Sequence, residues 1–372
     1  MKIVFIINSI SAQRCIKRVE EFVAHGYEVE AYGFDRKKAM RNEPKHFSLE
    51  LIGEYDNSIS YLKRIPILKQ GIRKVLQKHK NDKNIVYYLF QLDVALAFKM
   101  LTRSDRYLFE ESDLMHTYIK NTIVCNVLET IDKWIIKHSL ISVFTSEGFL
   151  IYHYGSNRPN NVCVITNRLN IEIENVEKVA KSSDGKKLRI GFVGNPRYKS
   201  IISFINTFCK KYPQHEFHIY GEVKGRYESD FKLLCQYPNC YFHGAFKNPN
   251  DLPQIYSGID LVLSTYDIEY MNVRYAEPNK LYEAIYFETP IIVSKGTYLE
   301  TRVRELGIGY SVNPLDTQDI SSLIENINNA SLESKINACR LIEKRKCLNI
   351  NDDFFSKLGC ICKDLVNCKH SI

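Results

Sequence analysis

The run Glu277-Pro278-Asn279-Lys280-Leu281-Tyr282-Glu283 leads through Ala284-Ile285-Tyr286-Phe287-Glu288 into Thr289-Pro290-Ile291-Ile292-Val293-Ser294. It reads as a polar loop, a helix starting at Pro278, and a Thr-Pro turn feeding an apolar strand. Pro suits the first helical turn because its missing N–H would find no partner there. A helix here brings Asn279, Lys280 and Glu283 within about one turn. The start of a helix offers unpaired N–H groups to an anion, and Lys280 adds a full positive charge at the same place. Glu283 can accept hydrogen bonds from both hydroxyls of a ribose. Together these residues could hold a nucleoside diphosphate. An ordinary amphipathic helix followed by a core strand is the alternative.

A second group lies upstream. The apolar run 188–193 ends in Gly194-Asn195-Pro196-Arg197-Tyr198-Lys199-Ser200. Glycine in a strand-to-helix turn lets the backbone approach a ligand, and the carboxyl end of a strand is the usual ligand edge of a parallel α/β sheet. Arg197 can clamp phosphate oxygens in bidentate fashion, while Lys199 acts as a point charge. Basic residues at a helix start oppose its macrodipole, which favours an anionic ligand there over solvent-exposed cations. The turn lacks the Gly-x-Gly-x-x-Gly pattern of a dinucleotide site, which argues against a dehydrogenase.

In these segments the chain resembles the GT-B glycosyltransferases, especially glycosyltransferase family 4 (glycosyl transferases group 1). The resemblance implies that Glu283 holds the donor ribose, that Lys280 sits near the diphosphate or sugar, and that Leu281 belongs to the same run. It implies that Gly194, Asn195, Arg197 and Lys199 form the diphosphate loop. Phe242-His243-Gly244-Ala245-Phe246 is similar to the loop that reads the nucleobase, which singles out His243, Gly244 and Phe246. A lone His is more often structural. Ile259-Asp260-Leu261-Val262-Leu263-Ser264-Thr265-Tyr266 is similar to the strand before the donor loop, so Tyr266, Asp267 and residues up to Glu277 would border the sugar. The family pairs two glutamates with seven residues between them; counting back from Glu283, that place holds Tyr275, and Glu277 lies two residues off register. The implied donor is a nucleotide-diphosphate sugar, used without a cofactor or metal and with retention of configuration. The implied reaction is hexosyl transfer to a saccharide or lipid-linked acceptor in cell-surface polysaccharide or glycolipid synthesis. A GT-B-like sugar-nucleotide epimerase and a non-catalytic GT-B binding or scaffold protein are the alternatives.

Acceptor activation needs a proton sink, and Glu110-Glu111-Ser112-Asp113 follows the apolar run Tyr107-Leu108-Phe109. Asp113 or Glu111 is the best base, because neighbouring carboxylates raise one another's pKa. Helix capping by Ser112 or Asp113 is the equal alternative, and His116 stands close enough in sequence to assist. The first-domain His common after the fourth strand in the family is replaced by a region holding Tyr88, Gln91 and Asp93.

A chain of 372 residues exceeds one ordinary hydrophobic core, which predicts two domains. The βαβ rhythm predicts an α/β protein of GT-B type, two doubly wound Rossmann-like domains facing across a cleft. The expected boundaries are 1–169 for the acceptor-side domain, 170–187 for a linker and 188–351 for the donor domain, with a helix about 352–372 returning to the first. Apolar content of 45% and charged content of 25% are those of a soluble globular protein. No apolar run is long enough to span a bilayer, and the N-terminal apolar segment is too short for a signal peptide. Eleven scattered cysteines, an odd number, predict a reducing cytoplasm. Cys360, Cys362, Cys368 and His370 cluster without a second ligand pair at zinc spacing, so no metal is expected there.

The net charge of +8 concentrates in 59–83, where Lys63, Arg64, Lys69, Arg73, Lys74, Lys78, Lys80 and Lys83 face only Asp82. Leu62, Ile65, Leu68, Ile72, Val75 and Leu76 recur between them at helical spacing. Such a segment either rests on an anionic membrane or packs its stripe on the core as a solvated helix face. The first reading predicts a peripheral enzyme at the inner face of the plasma membrane. No nucleic-acid motif accompanies the charge.

Overall fold

The computed structural model describes residues 1–37, 44, 46–56, 58–181, 187–223 and 227–367. The chain forms two compact units, one of Met1–Ile165 with Asn351–Ile372 and one of Thr166–Ile350. Cys368 and His370 of the tail cluster lie outside the described residues.

The first unit is built on seven parallel strands: β1 (Lys2–Ile7), β2 (Glu28–Lys37), β3 (Leu49–Asp56), β4 (Ile85–Phe90), β5 (Tyr107–Glu111), β6 (Ile141–Phe144) and β7 (Val162–Val164). They lie in the order β3-β2-β1-β4-β5-β6-β7. β4, β5 and β6 are buried at every position, as expected where helices cover both faces of a parallel sheet. The last helix, Asp352–Asn367, belongs to this unit. Its Phe354, Phe355 and Leu358 enter the β1–β4 core, where Phe355 stacks on His25 at 3.6 Å between ring centres.

The second unit carries β8 (Arg189–Val193), β9 (Glu216–Tyr220), β10 (Cys240–Gly244), β11 (Leu261–Ser264), β12 (Ile291–Ser294) and β13 (Gly309–Val312). Their order is β10-β9-β8-β11-β12-β13, all parallel. In both units the strand order reverses beside the first strand, between β1 and β4 and between β8 and β11. A crevice opens at such a switch point, outside the carboxyl ends of the strands.

One expectation is corrected, two elements are added to the expected pattern, and the basic segment follows the second of its two readings. The segment from 170 is not a free linker: Leu169 and Ile173 are buried in the second unit's core. Lys181 donates to the Ile259 carbonyl at 3.0 Å and to Thr289 Oγ1 at 2.6 Å. The glutamates that made this stretch look like linker, Glu172 and Glu174, point outward around Ile173, and residues 182–186 of the same segment lie outside the described residues. An edge strand, β3, and a helix, Glu147–Tyr154, escape the sequence pattern. Finally, the basic segment forms the helix Tyr61–Lys78, whose Leu68, Ile72 and Val75 are spent in the unit's own core.

Candidate functional site

The edge of the second sheet at the switch point is laced together by glycines. Gly194, which follows β8, takes φ +129° and donates its N–H to the Tyr220 carbonyl at 2.8 Å. Gly221, which follows β9, takes φ +138° and donates to the Gly244 carbonyl at 2.7 Å. A Cβ on Gly221 would stand 1.9 Å from the Gly194 carbonyl oxygen, so only glycine fits. Gly221→Ala is expected to cost at least about 2 kcal/mol from the strained backbone conformation alone, read as a lower urea midpoint, and to spoil the turn at Gly194. A wild-type midpoint would contradict this close approach.

Lys280 stands beneath that turn. Its Nζ lies 3.3 Å from the position a Gly194 Cβ would occupy and 4.6 Å above the Phe192 ring. It sits in the first turn of the helix Asn279–Tyr286, which Pro278 precedes and no side chain of that residue caps. The helix start, a lysine ammonium and an open glycine turn therefore meet at one place. Loss of water around Lys280 lowers its pKa to about 8, against the attraction of Glu283, and the Arg197 charge lowers it further. An arriving anion would restore it.

Glu283, one turn along the same helix, is buried, and its Oε2 accepts from Tyr256 Oη at 2.6 Å. Burial raises its pKa, opposed by the Tyr256 hydrogen bond and the Lys280 charge. Tyr256, held by stacking on Phe287 at 4.8 Å, fixes one carboxylate oxygen. No local sequence signal marks it, because it acts across 27 residues. Asn279 is exposed at the helix start, whereas Leu281 faces the core and offers nothing to a ligand.

The other expected donor residues divide. Asn195, Arg197 and Lys199 are exposed along the turn, and Arg197 is close enough for its charge to act on both Lys280 and Tyr266. The start of the helix Lys199–Lys211 is not open to an anion. Asp267 takes the N–H groups of Lys199 at 3.1 Å and Ser200 at 2.7 Å. Asp267 is thereby removed from the sugar-bordering role and becomes a buried cap. Tyr266 stays half-buried, its backbone tied to Ser294 Oγ at 2.8 and 3.0 Å and its ring edge-on to Tyr198 at 5.2 Å. Glu277 is buried, bonded by Tyr282 Oη and 3.6 Å from Arg302. Its carboxylate is held by protein partners rather than offered to a sugar. His243 is not alone: its Nε2 shares a hydrogen bond with His218 Nδ1 at 3.0 Å, and its ring stacks on Tyr220 at 4.2 Å. Gly244 closes the loop, and Phe246 packs on the core that includes Leu281.

In the first unit the three carboxylates part company. Glu110 is buried against Arg18 at 2.9 Å and accepts from Tyr88 Oη. Glu111 points to the opposite side, fully buried, and accepts from His153 Nε2 at 3.0 and 3.1 Å. Burial pushes its pKa up to about 8, but no surface hydroxyl can reach it, so Glu111 is withdrawn as the acceptor base. His116 is equally enclosed. Asp113 alone remains half-buried at the sheet edge, within 3.3 Å of Gln91 Nε2. Gln91 itself carries φ +73° at the end of β4, a strained residue of the kind that gathers at ligand edges.

Two doubly wound units with these strand orders are those of the GT-B fold. The family model of glycosyl transferases group 1 matches residues 187–329, within the second unit. Among similar solved structures is sucrose-phosphate synthase from Thermosynechococcus elongatus, at 16% identity and a TM-score of 0.72, covering 99% of this chain and 100% of that one. Anabaena HepE in complex with UDP and glucose is similar at 14% identity and a TM-score of 0.65, covering 100% of both chains. WaaG, a glycosyltransferase involved in lipopolysaccharide biosynthesis, aligns at 11% identity and a TM-score of 0.63, covering 93% of this chain and 97% of that one. No curated protein sequence matches the chain.

Proposed function

We propose that the protein moves a hexose from a nucleoside-diphosphate sugar to a saccharide or lipid-linked acceptor in the assembly of a cell-surface polysaccharide or glycolipid. The observation that carries the reading is the meeting of Gly194, Lys280 and Glu283 at the β8–β11 switch point. Glu283 takes the ribose hydroxyls. Lys280, the uncapped helix start and Arg197 stabilise charge on the departing diphosphate, which is the term that most lowers such a barrier. With fixed cations in that place, the donor needs no metal. The solved complexes of HepE with UDP and with UDP-glucose support this donor class.

Asp113 is the remaining candidate for a base in the first unit. Retention is favoured, because the leaving phosphate can then take the acceptor proton and Glu111 is out of reach. The second reading, a nucleotide-binding protein without turnover, draws on Tyr275 in the family's first glutamate position and on the engagement of Glu277 by Tyr282 and Arg302. Release of nucleoside diphosphate from the sugar donor separates these readings. Release that depends on acceptor is expected; release without acceptor would indicate a hydrolase, conversion of the donor into an isomeric nucleotide sugar an epimerase, and binding with neither a scaffold.

The ten described cysteines are all unpaired, which supports a cytoplasmic location, and no helix among the described residues is long and apolar enough to cross a membrane. We place the protein peripherally at the inner leaflet through the helix Tyr61–Lys78. Its apolar stripe is occupied by the core, so the contact is electrostatic rather than inserted. Arg64 is buried over the Tyr55 ring, and Lys78 pairs with Glu50 at 3.1 Å. Lys63, Lys69, Arg73 and Lys74 remain for lipid, each worth about 1 kcal/mol near an anionic surface. Changing these four to Ser is expected to abolish co-sedimentation with phosphatidylserine vesicles, and salt should weaken wild-type binding. Equal recovery in the supernatant with and without anionic vesicles would leave an ordinary solvated helix.

A further inference from the structure

Four elements of the first unit converge on a second, buried cluster: Glu111 at the end of β5, His116 in the short helix Met115–Tyr118, Asp132 in the helix Thr122–His138, and His153 in the helix Glu147–Tyr154. Glu111, His116 and Asp132 are completely buried. One ligand atom from each lies within 4.8 Å of the others. His116 Nδ1 stands 3.3 Å from Asp132 Oδ2, yet neither that nitrogen nor either Asp132 oxygen makes a directed hydrogen bond. Buried polar atoms are nearly always satisfied; these three have only one another close by, without hydrogen-bond geometry, and a shared ion would complete them. No lysine or arginine among the described residues pairs with either carboxylate. Lys133, the nearest candidate by sequence, is engaged by Glu129 at 2.7 Å.

We propose that Glu111, His116 and Asp132 bind a structural divalent transition-metal ion, of which zinc is the expected occupant. Nitrogen and carboxylate oxygen are suitable zinc ligands, and with bonds of about 2.0–2.1 Å two tetrahedral ligands stand about 3.4 Å apart. The His116–Asp132 spacing already fits, and Glu111 needs only a small shift. Two carboxylates and a dication are neutral together, which removes the cost of burying either charge alone. His153, bonded to both Glu111 oxygens, orients that ligand from outside, as groups behind metal ligands commonly do. The ligands are separated by 5 and 16 residues, so no compact sequence spacing announces them. The ion would clamp the loop that carries Asp113, but the proposal does not depend on Asp113 being a base.

The test is made on the full chain, purified without chelator from zinc-supplemented cells. Elemental analysis is expected to give about one zinc per chain. Stripping with a strong chelator should lower the thermal midpoint by about 5 °C or more, and added zinc should restore it. Cobalt(II) added to the stripped protein should give the visible bands of a tetrahedral nitrogen–oxygen site without a thiolate charge-transfer band. His116→Ala and Asp132→Asn should lose the ion, whereas Cys360→Ser with Cys362→Ser should keep it. If those two site variants fail to fold, the cobalt titration of the wild-type chain decides. Wild-type protein that carries no metal and takes up no cobalt would overturn the proposal. So would a thiolate band that vanishes with Cys360 and Cys362, because it would place the ion in the tail.

Discussion

Replacing Lys280 by Met lowers kcat by about two to three orders of magnitude, the usual effect of removing one fixed stabiliser of developing charge. Met keeps the apolar stem over the Phe192 ring, so the fold and its urea midpoint should change little. The same lysine sets a pH dependence. Its free-state pKa is lowered to about 8 by loss of water, and a bound diphosphate favours the protonated form. Binding therefore takes up a proton above that pH. Donor affinity should be flat below about pH 8 and fall by up to tenfold per unit above it. Lys280→Met should abolish that fall. A rate within a few-fold of wild type, or an unchanged pH profile, would remove Lys280 from the diphosphate.

Glu283→Gln weakens donor binding by about 10- to 100-fold. That follows from losing a charged acceptor worth about 1.5–3 kcal/mol per hydrogen bond, at about 1.4 kcal/mol per decade. The variant retains the shape of the side chain and one acceptor for Tyr256 Oη, so helix and core should stand. The loss should be seen with ribonucleoside diphosphates and be much smaller with the 2′,3′-dideoxy forms, which lack the hydroxyls Glu283 is expected to hold. Equal losses for both would mean that the carboxylate supports the fold rather than the ribose.

The parts of this site legible in the sequence are those whose residues act within one turn or one loop. Lys280 and Glu283 share a helix start, so spacing places them together, whereas the family resemblance is what joins the Gly194 turn to them. Leu281 belongs to the family run, although its helical position turns it into the core. Residues acting across distance were not legible. Tyr256 reaches Glu283 from another helix, and Asp267 caps a helix 67 residues earlier in the chain. Glu110 and Glu111 look alike in sequence but alternate across a strand, which sends one to Arg18 and the other to His153. The strand β3 escaped because its exposed glutamates interrupt a pattern in which Ile52 and Tyr55 are its buried positions. The stretch 170–187 reads as linker because charge outnumbers the single buried Ile173 that docks it.

Calorimetric titration with a panel of nucleoside diphosphates, made on the wild-type chain and on Lys280→Met and Glu283→Gln, tests the donor site most directly. Saturable binding of at least one nucleotide at one site per chain is predicted, weakened at least about tenfold in both variants. No binding of any nucleotide to the wild type, or wild-type affinity in both variants, would contradict it.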